Sequence, residues 1–268
     1  MRSIYILAIP LLFWLYNKKF AFRFGLFFLL NAYINSFIKH IFTTQRPPLE
    51  LHKIEQGGYS FPSGHAQGNT AFWGYLAHQL RKRWAYVAAA VLFTLVAFSR
   101  VWLGVHFPID IIFGILIGIA WIALYEFLWR KIKLELTLNQ WMLASIAFVA
   151  VLFLIHPTGD GPLTTGFALG ALWGYRLELE FVGFKERGTW WQGIIKTVIG
   201  LAVLFGLRII LKELFEVMLF GSPEEGLALH AATFLRYLIM GLWVTLIAPW
   251  LFRLMRLERR DLTIDKAA

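Results

Sequence analysis

The chain has 268 residues, of which 59% are hydrophobic and only 16% are charged, and its mean hydropathy is +0.62. A soluble domain usually has about 25% charged residues, so this composition argues against a soluble globular protein and favours a membrane protein. The formal net charge of +10 would indicate nucleic acid as a partner of a soluble protein, but in a membrane protein it reports orientation. The chain has no cysteine, which excludes disulfides, thiolate metal sites and thiol nucleophiles.

Hydrophobic segments near the length that crosses a bilayer, about 20 helical residues, follow one another along the chain. The first is short, contains Pro10 and is followed by no small-residue cleavage site, which favours an uncleaved anchor or a partly inserted helix. We predict an all-α polytopic transmembrane bundle with about nine spans. They are residues 3–16, 20–42, 66–80, 84–103, 107–129, 138–156, 163–180, 190–212 and 230–252.

The seventh segment is the weakest of these predictions. Small residues recur there at every fourth position, a spacing that suits close helix packing; they are Gly166, Gly170 and Gly174. Its end is polar and contains Arg176, Glu178 and Glu180. We predict an ion pair at a cytoplasmic helix end, with a functional intramembrane set as the alternative.

Basic residues concentrate in alternate connections between the predicted spans. If every segment crosses, they all lie on one side, which the positive-inside rule identifies as cytoplasmic. With nine spans, the carboxyl terminus is then inside and the amino terminus outside. The residues are Lys18, Lys19, Arg23, Arg81, Lys82, Arg83, Arg130, Lys131, Lys133, Lys185, Arg187, Arg253, Arg256, Arg259 and Arg260.

Three polar clusters lie on the opposite side, at the ends of spans two and four and the starts of spans three and five. The first runs from Lys39 to Arg46-Pro47, and the second is Pro62-Ser63-Gly64-His65. The third begins at Ser99-Arg100 and continues through His106 to Asp110. Because successive spans alternate in direction, this topology brings all three clusters to one membrane face.

The residue types in these clusters suit a phosphate group. Lys39, Arg46 and Arg100 supply permanent positive charge and many N–H donors. Ser63 and Gly64 lie at a predicted helix N-terminus, where free backbone N–H groups and the helix dipole also favour an anion. We therefore predict that these five residues bind phosphate.

The remaining members of the clusters suit acid, base and nucleophilic roles. His106 and Asp110 lie on one helical face, so the carboxylate can hold one ring nitrogen and leave the other as a nucleophile. His65 can protonate the leaving oxygen and later deprotonate water. No carboxylate cluster indicates a divalent metal, and no cofactor is implied. The hypothesis is a metal-independent, two-step phosphoryl transfer through a phosphohistidine.

The sequence resembles the type-2 phosphatidic acid phosphatases, which share their core with glucose-6-phosphatase, the sphingosine-phosphate phosphatases and the vanadium haloperoxidases. The family pattern is Lys, six residues, Arg-Pro; then Pro-Ser-Gly-His; then Ser-Arg, five residues, His, three residues, Asp. Every fixed position is matched here. The resemblance implies phosphate binding by Lys39, Arg46, Ser63, Gly64 and Arg100, acid-base catalysis by His65, attack by His106 and orientation of His106 by Asp110.

The resemblance also implies an organisation and a substrate class. Residues 1–156 would contain a six-helix-type phosphatase core. The resemblance does not explain residues 157–268, which we predict to be additional transmembrane helices of unknown role in the same membrane domain. The expected activity is hydrolysis of a lipid phosphate or pyrophosphate on the non-cytoplasmic face of the plasma or inner membrane. Candidate substrates are phosphatidic acid, phosphatidylglycerophosphate, polyprenyl pyrophosphate and sphingosine phosphate; the expected partners are these lipids and the membrane, not nucleic acid.

Three alternatives use the same residues or the same topology. A lipid phosphotransferase would deliver the phosphoryl group to a hydroxyl, a vanadium haloperoxidase would share the anion site, and a lipid transporter would use the spans alone. The connection from Arg46 to Pro62 is long enough to cover the site mouth, and a solvated loop is the competing interpretation. Its candidate headgroup contacts are Glu50, His52, Lys53, Glu55 and Tyr59.

Overall fold

The computed structural model describes residues 2–132, 135–219 and 226–258, and within these residues it is helical without any strand. Three of the basic residues used for orientation, Lys133, Arg259 and Arg260, lie outside the described residues. Each predicted span coincides with a helix, and the ninth coincides with one that continues through a π-helical turn, Trp243–Ile247. The helices are α1 (Arg2–Leu15), α2 (Lys18–Phe42), α3 (Gly64–Leu80), α4 (Arg83–Trp102), α5 (Pro108–Lys131), α6 (Leu138–Ile155), α7 (Gly161–Leu177), α8 (Trp190–Met218), α9 (Leu227–Leu242) and α10 (Ala248–Leu254).

Six of the described helices are long and apolar enough to cross a membrane: α2, α4, α5, α6, α8 and the continuous helix Leu227–Leu254. The helices α1, α3 and α7 are shorter, with 14, 17 and 17 residues. The chain is therefore an all-α integral membrane protein, as predicted. The number of spans, about nine, stays a prediction.

The chain divides into two compact units that interleave along the sequence. The motif unit comprises residues 26–136 and 152–164. The second unit comprises residues 1–25, 137–151 and 165–268. All eight candidate site residues belong to the motif unit. The functional division at residue 156 stays a prediction.

Close packing of α3 against α5 organises the motif unit. A Cβ at Gly114 would lie 2.8 Å from the Ser63 carbonyl oxygen, and one at Gly118 would lie 3.0 Å from Thr70 Cβ. Only glycine permits this approach without displacing the partner helix. Short connections join α3 to α4 and α4 to α5, so the start of α3, the end of α4 and the start of α5 meet at one end of the unit.

The second half of α2 joins the same helices through aromatic and amide contacts. The ring of Phe27 stacks on that of Tyr75 with centroids 4.4 Å apart. Gln67, which is fully buried, donates to Asn31 Oδ1 (3.0 Å) and accepts from Asn35 Nδ2 (2.8 Å). Because an unpaired buried amide is costly, this ladder fixes the register of α2 against α3.

In the second unit, the predicted glycine spacing of α7 is confirmed as a packing surface. A Cβ at Gly166 would overlap the carbonyl oxygen of Phe234, and one at Gly170 would overlap that of Leu238. The backbones of α7 and α9 therefore approach closely, as small residues at every fourth position allow.

The polar residues at the end of α7 and in the π-helical turn that follows it, Glu178–Val182, take part in two separate ion pairs. Arg176 Nη1 lies 3.1 Å from Glu180 Oε2, which confirms the predicted ion pair for these two residues. Glu178 is fully buried, and its Oε1 accepts from Lys18 Nζ at 2.7 Å. Lys18 also donates to the Phe184 carbonyl oxygen at 2.7 Å. The Lys18–Glu178 pair was not predicted.

Candidate active site

Lys39 and Arg46 direct their charged groups toward the segment that precedes α3. Lys39 lies in the last turn of α2, and its Nζ donates to the carbonyl oxygens of Tyr59 (2.5 Å) and Ser60 (3.0 Å). Arg46 donates from Nε to Gly58 (3.0 Å) and from Nη1 to Val105 (2.7 Å). Both cations thus bind neutral backbone carbonyls around one small region.

The start of α3 is held by the start of α5. Ser63 is the fully buried N-cap of α3, and its Oγ accepts from Ala66 N at 3.4 Å. The Ser63 N–H donates to the Asp110 carbonyl oxygen at 3.0 Å. A Cβ at Gly64 would lie 2.8 Å from Asn35 Oδ1, so a larger residue would displace that side chain. The N-terminus of α3 is therefore fixed next to the third motif.

His106 lies in the short connection between α4 and α5, and Asp110 lies in the first turn of α5. His106 Nδ1 is 3.3 Å from Asp110 Oδ2, and both side chains are 1% exposed. The same oxygen accepts from Phe107 N at 2.9 Å. Because a carboxylate only accepts, this contact puts the imidazole proton on Nδ1 and leaves the lone pair on Nε2.

The second ring nitrogen of His106 faces the positive charge of the site. Arg46 Nη1 lies 3.2 Å from His106 Nε2. Burial lowers the pKa of His106 below its usual value, and the charges of Arg46 and Lys39 lower that pKa further, while Asp110 acts in the opposite direction. The ring is therefore neutral near pH 7, which is the state in which Nε2 is a nucleophile.

The other two candidates, His65 and Arg100, lie at the same end of the motif unit. His65 is half-buried in the first turn of α3, and Arg100 is half-buried in the last turn of α4. Arg100 Nε lies 3.3 Å from Ser99 Oγ. The roles of His65 and Arg100 stay predictions.

Sequence comparison identifies the family. The model of the PAP2 superfamily matches residues 20–133, which contain all eight candidate residues. A second model, described as the transmembrane extension of PAP2 superfamily phosphatases, matches residues 163–260. Together they cover most of the chain. The chain belongs to the PAP2 superfamily.

Three relatives of this PAP2 protein each match part of the chain. Lipid phosphate phosphatase delta of Arabidopsis thaliana is 27% identical over 180 residues, 59% of this chain and 43% of that protein. Phosphatidylglycerophosphatase B of Bacillus subtilis is 31% identical over 119 residues, 41% of this chain and 56% of that protein. Undecaprenyl-diphosphatase of Sulfolobus acidocaldarius is 29% identical over 113 residues, 40% of this chain and 53% of that protein. The chain thus spans about half the length of these relatives. No solved structure matches it.

Ser60 is a member of this PAP2 site that the sequence analysis missed. It is fully buried, and its Oγ donates to Asp110 Oδ2 and lies 3.4 Å from His106 Nδ1. Its carbonyl oxygen accepts from Lys39. The only signal in the sequence was a small hydroxyl residue close before the second motif, in a connection that has no periodicity.

The connection that contains Ser60 packs back onto the turn between α4 and α5. Lys53 N donates to the Leu103 carbonyl oxygen at 3.0 Å, and Lys53 Nζ lies 4.0 Å from the centre of the Trp102 ring. Gly104 has a φ of +70°, and a Cβ there would overlap the Leu51 carbonyl oxygen. Of the predicted headgroup contacts, Tyr59 reaches the site through its carbonyl oxygen, which accepts from Lys39 and Arg46.

Among the described residues, no group of three His, Cys, Asp or Glu side chains is arranged to hold a metal ion. The charges that face His106 instead come from Arg46 and Lys39. Two histidines outside the motifs, the buried His156 and the exposed His40, both contact Ser36. His156 Nε2 lies 2.9 Å from Ser36 Oγ, and His40 Nδ1 lies 2.8 Å from the Ser36 carbonyl oxygen.

Proposed function

We propose that the chain is a membrane lipid phosphatase that removes the terminal phosphate of a lipid phosphate or pyrophosphate through a phosphohistidine on His106. One observation carries the proposal: Nδ1 of His106 faces the buried carboxylate of Asp110, while Nε2 faces the guanidinium of Arg46 at 3.2 Å. A phosphate bound to that guanidinium lies next to a neutral nitrogen lone pair. This is the arrangement that nucleophilic attack on phosphorus requires.

The first step transfers the phosphoryl group to the protein. The Nε2 lone pair of His106 forms a bond to phosphorus as the bond between phosphorus and the lipid oxygen breaks, and His65 gives its proton to that leaving oxygen. The ring, which keeps its proton on Nδ1, becomes positively charged. Asp110 stabilises that charge through Nδ1, and the hydrogen bond from Ser60 holds the carboxylate in place.

The second step returns the protein to its starting state. His65, now neutral, takes a proton from water, and the water oxygen attacks phosphorus. The bond between phosphorus and Nε2 breaks, and its electron pair returns to the His106 ring. Inorganic phosphate leaves, and His65 is again protonated. The protons are thus exchanged among the leaving group, one water and His65, while His106 keeps its proton on Nδ1.

Lys39, Arg46 and Arg100 supply the positive charge that the phosphate oxygens need. In the structure Lys39 and Arg46 donate to the carbonyl oxygens of residues 57–60. A phosphate oxygen is a stronger acceptor than a neutral carbonyl because the bond is charge-assisted, so substrate replaces part of this set. Three such cations neutralise the transferring group without a divalent metal.

The nature of the substrate follows from where the site lies and from the relatives. The candidate residues lie at helix ends in a protein whose long helices are apolar, where a headgroup and an apolar chain both find a suitable environment. The relatives carry the names of a lipid phosphate phosphatase, a phosphatidylglycerophosphatase and an undecaprenyl-diphosphatase. The distribution of basic residues supports a site on the non-cytoplasmic face, with the carboxyl terminus in the cytoplasm.

Phosphate release by the purified protein in detergent tests this proposal. The panel comprises phosphatidic acid, phosphatidylglycerophosphate, sphingosine phosphate and undecaprenyl pyrophosphate. We expect release from at least one lipid, inhibition by vanadate, and unchanged activity in EDTA. His106→Ala should lower kcat by at least ~10³-fold, whereas the control His230→Ala, on α9 in the second unit, should not.

Each contrary result has a defined meaning. Turnover retained in His106→Ala would exclude the phosphohistidine route, and loss of activity in EDTA would indicate a metal mechanism. Phosphate that appears on a lipid or sugar hydroxyl, instead of in solution, would identify a phosphotransferase. Lipid binding with no release from any substrate would favour a transporter.

A further inference from the structure

Three phenylalanine rings form a continuous row beside the candidate active site. The rings of Phe42 and Phe61 have centroids 5.1 Å apart, and those of Phe61 and Phe113 have centroids 5.3 Å apart. Phe42 is 58% exposed and Phe113 is 42% exposed, whereas Phe61 is partly buried between them. These three residues, which we call the aromatic row, come from the end of α2, the connection before α3 and the start of α5.

Each ring of the aromatic row is tied to a site residue by local structure. Phe42 follows Lys39 by one turn of α2, and Phe113 follows Asp110 by one turn of α5. Phe61 lies two positions before Ser63, the N-cap of α3. The row therefore begins where all three motifs meet, and its position is set by the same three elements that position the phosphate-binding residues.

The row continues onto an apolar surface of a membrane-spanning helix. On α5, Ile109, Ile112 and Leu116 are 51%, 52% and 53% exposed. α5 is among the helices long and apolar enough to cross a membrane. With Phe113, these residues follow the helical spacing of one face, so exposed apolar side chains continue from the aromatic row along α5.

The chemistry at the two ends of this surface points to one occupant. One end has the positive charges of Lys39 and Arg46 next to the His106 nucleophile, and the other has exposed aromatic and aliphatic side chains. A single amphiphile with a phosphate head and an apolar chain complements both ends. A peptide or a soluble phosphate ester would leave one of them uncovered.

We propose that the aromatic row binds the part of the substrate's apolar chain nearest to the phosphate and thereby selects long-chain lipid phosphates over water-soluble ones. This proposal rests on the proposed function and adds the residues that recognise the chain. Aromatic rings suit this task because they bury a large apolar area at low entropic cost. Phe61, locked between the other two rings, aligns the chain with the start of α3, where His65 would meet the leaving oxygen.

The test compares kcat/KM for two phosphatidic acids, one with long and one with six-carbon acyl chains, in the wild type and in Phe42→Ala/Phe113→Ala. We expect the ratio of the long-chain kcat/KM to the short-chain kcat/KM to fall about tenfold in the double variant. Each substitution removes a ring and with it most of the apolar area that would contact the chain. The matched control is Phe127→Ala, which removes a ring that is 58% exposed near the other end of α5. In the control the ratio should stay within about twofold of the wild type.

Other outcomes overturn the proposal. An unchanged ratio in the double variant would mean that bulk lipid alone covers the row, and an equal fall in the control would mean that any exposed ring has the same effect. Direct binding of a non-hydrolysable long-chain phosphonate, measured in the same variants, keeps the test independent of turnover. If the phosphonate binds more weakly to the double variant but not to the control, and the wild type releases no phosphate, the aromatic row binds the lipid chain. The proposed phosphatase activity is then wrong.

Discussion

The motif unit and the second unit each contain a group of buried or partly buried charged side chains, and the two groups differ in how their charges are balanced. In the second unit, Lys18 pairs with the carboxylate of Glu178 at 2.7 Å. Lys196 donates to the carbonyl oxygens of Trp14 (3.1 Å) and Glu186 (2.6 Å), and Trp14 lies in the last turn of α1. There a cation is matched by an anion or by the negative end of a helix dipole.

The candidate site in the motif unit has a different balance. Its cations are Lys39, Arg46 and Arg100, whereas its carboxylate, Asp110, is turned toward His106 Nδ1 and Ser60. Arg46 donates to neutral carbonyls and to the imidazole. Burial of charge alone therefore does not indicate a ligand site in this protein. A ligand site is indicated by an excess of positive charge directed at a nucleophile, and substitutions in each unit can test that distinction.

The largest expected effect is the loss of the charge that faces the nucleophile. Arg46→Ala should lower kcat/KM by about 10³-fold, or about 4 kcal/mol, because a phosphate loses a charge-assisted donor in a site that excludes water. Arg46→Lys should restore only part of the activity, since lysine lacks the planar fork of arginine. The measurement is steady-state phosphate release in detergent.

The control for this variant is Arg176→Ala, which breaks the Arg176–Glu180 pair in the second unit. It should leave kcat/KM within about twofold of the wild type, because surface-accessible ion pairs contribute little. If Arg176→Ala were as damaging as Arg46→Ala, the contrast between the two units would be wrong.

The second prediction concerns the balanced group. Glu178→Gln keeps the shape of the side chain but leaves Lys18 buried without its anion, which should lower the free energy of unfolding by about 3 kcal/mol. Thermal unfolding in detergent measures the loss, and kcat per folded molecule should remain normal. A variant that unfolds at the wild-type temperature but no longer releases phosphate would make this group functional.

The third prediction concerns Ser60, whose carbonyl oxygen accepts from Lys39 and whose hydroxyl donates to Asp110. Ser60→Ala removes the bond to Asp110 Oδ2, and hydrogen bonds to charged groups contribute about 1.5–3 kcal/mol. If Ser60 positions the carboxylate, kcat should fall by about 10- to 100-fold with little change in KM. Ser145→Ala, which removes a buried hydroxyl that accepts from Trp173 in the second unit, is the control. A rise in KM with normal kcat would place Ser60 in substrate binding instead.

Much of the fold could be predicted from the sequence because hydropathy and helix period act locally. The predicted spans at 20–42 and 107–129 correspond to Lys18–Phe42 and Pro108–Lys131, the latter beginning at a proline that fixes the first helical turn. The glycines of α7 were predictable for the same reason, because their spacing of four residues follows the helical period.

The candidate site was predictable only where a helix or a motif fixed the spacing. His106 and Asp110 do meet, as their spacing predicted, but His106 precedes α5 and is not on a helical face: the turn at Phe107, whose N–H also binds Asp110 Oδ2, brings them together. Ser60 lies in an irregular connection, and no period indicates that its hydroxyl points inward. Lys18 and Glu178 are separated by 160 residues, so only the tertiary packing of the second unit reveals the pair.

The smallest expected effect is a shift in pH dependence that reports the excess charge directly. The positive charges of Arg46 and Lys39 help to lower the pKa of His106, whose neutral form attacks phosphorus. In the wild type, kcat/KM should therefore persist below the ordinary histidine pKa of about 6.5 and fall only at more acidic pH, as the ring becomes protonated. Lys39→Gln removes one of these charges, so the pKa of His106 should rise and the acidic limb should move to higher pH.

The control Lys53→Gln removes a charge that lies over the Trp102 ring, and its acidic limb should match the wild type. Substrate ionisation is the same for all three proteins, so a difference in the pH of the acidic limb comes from the protein. If the acidic limb of Lys39→Gln is identical to that of the wild type, this lysine does not act on His106.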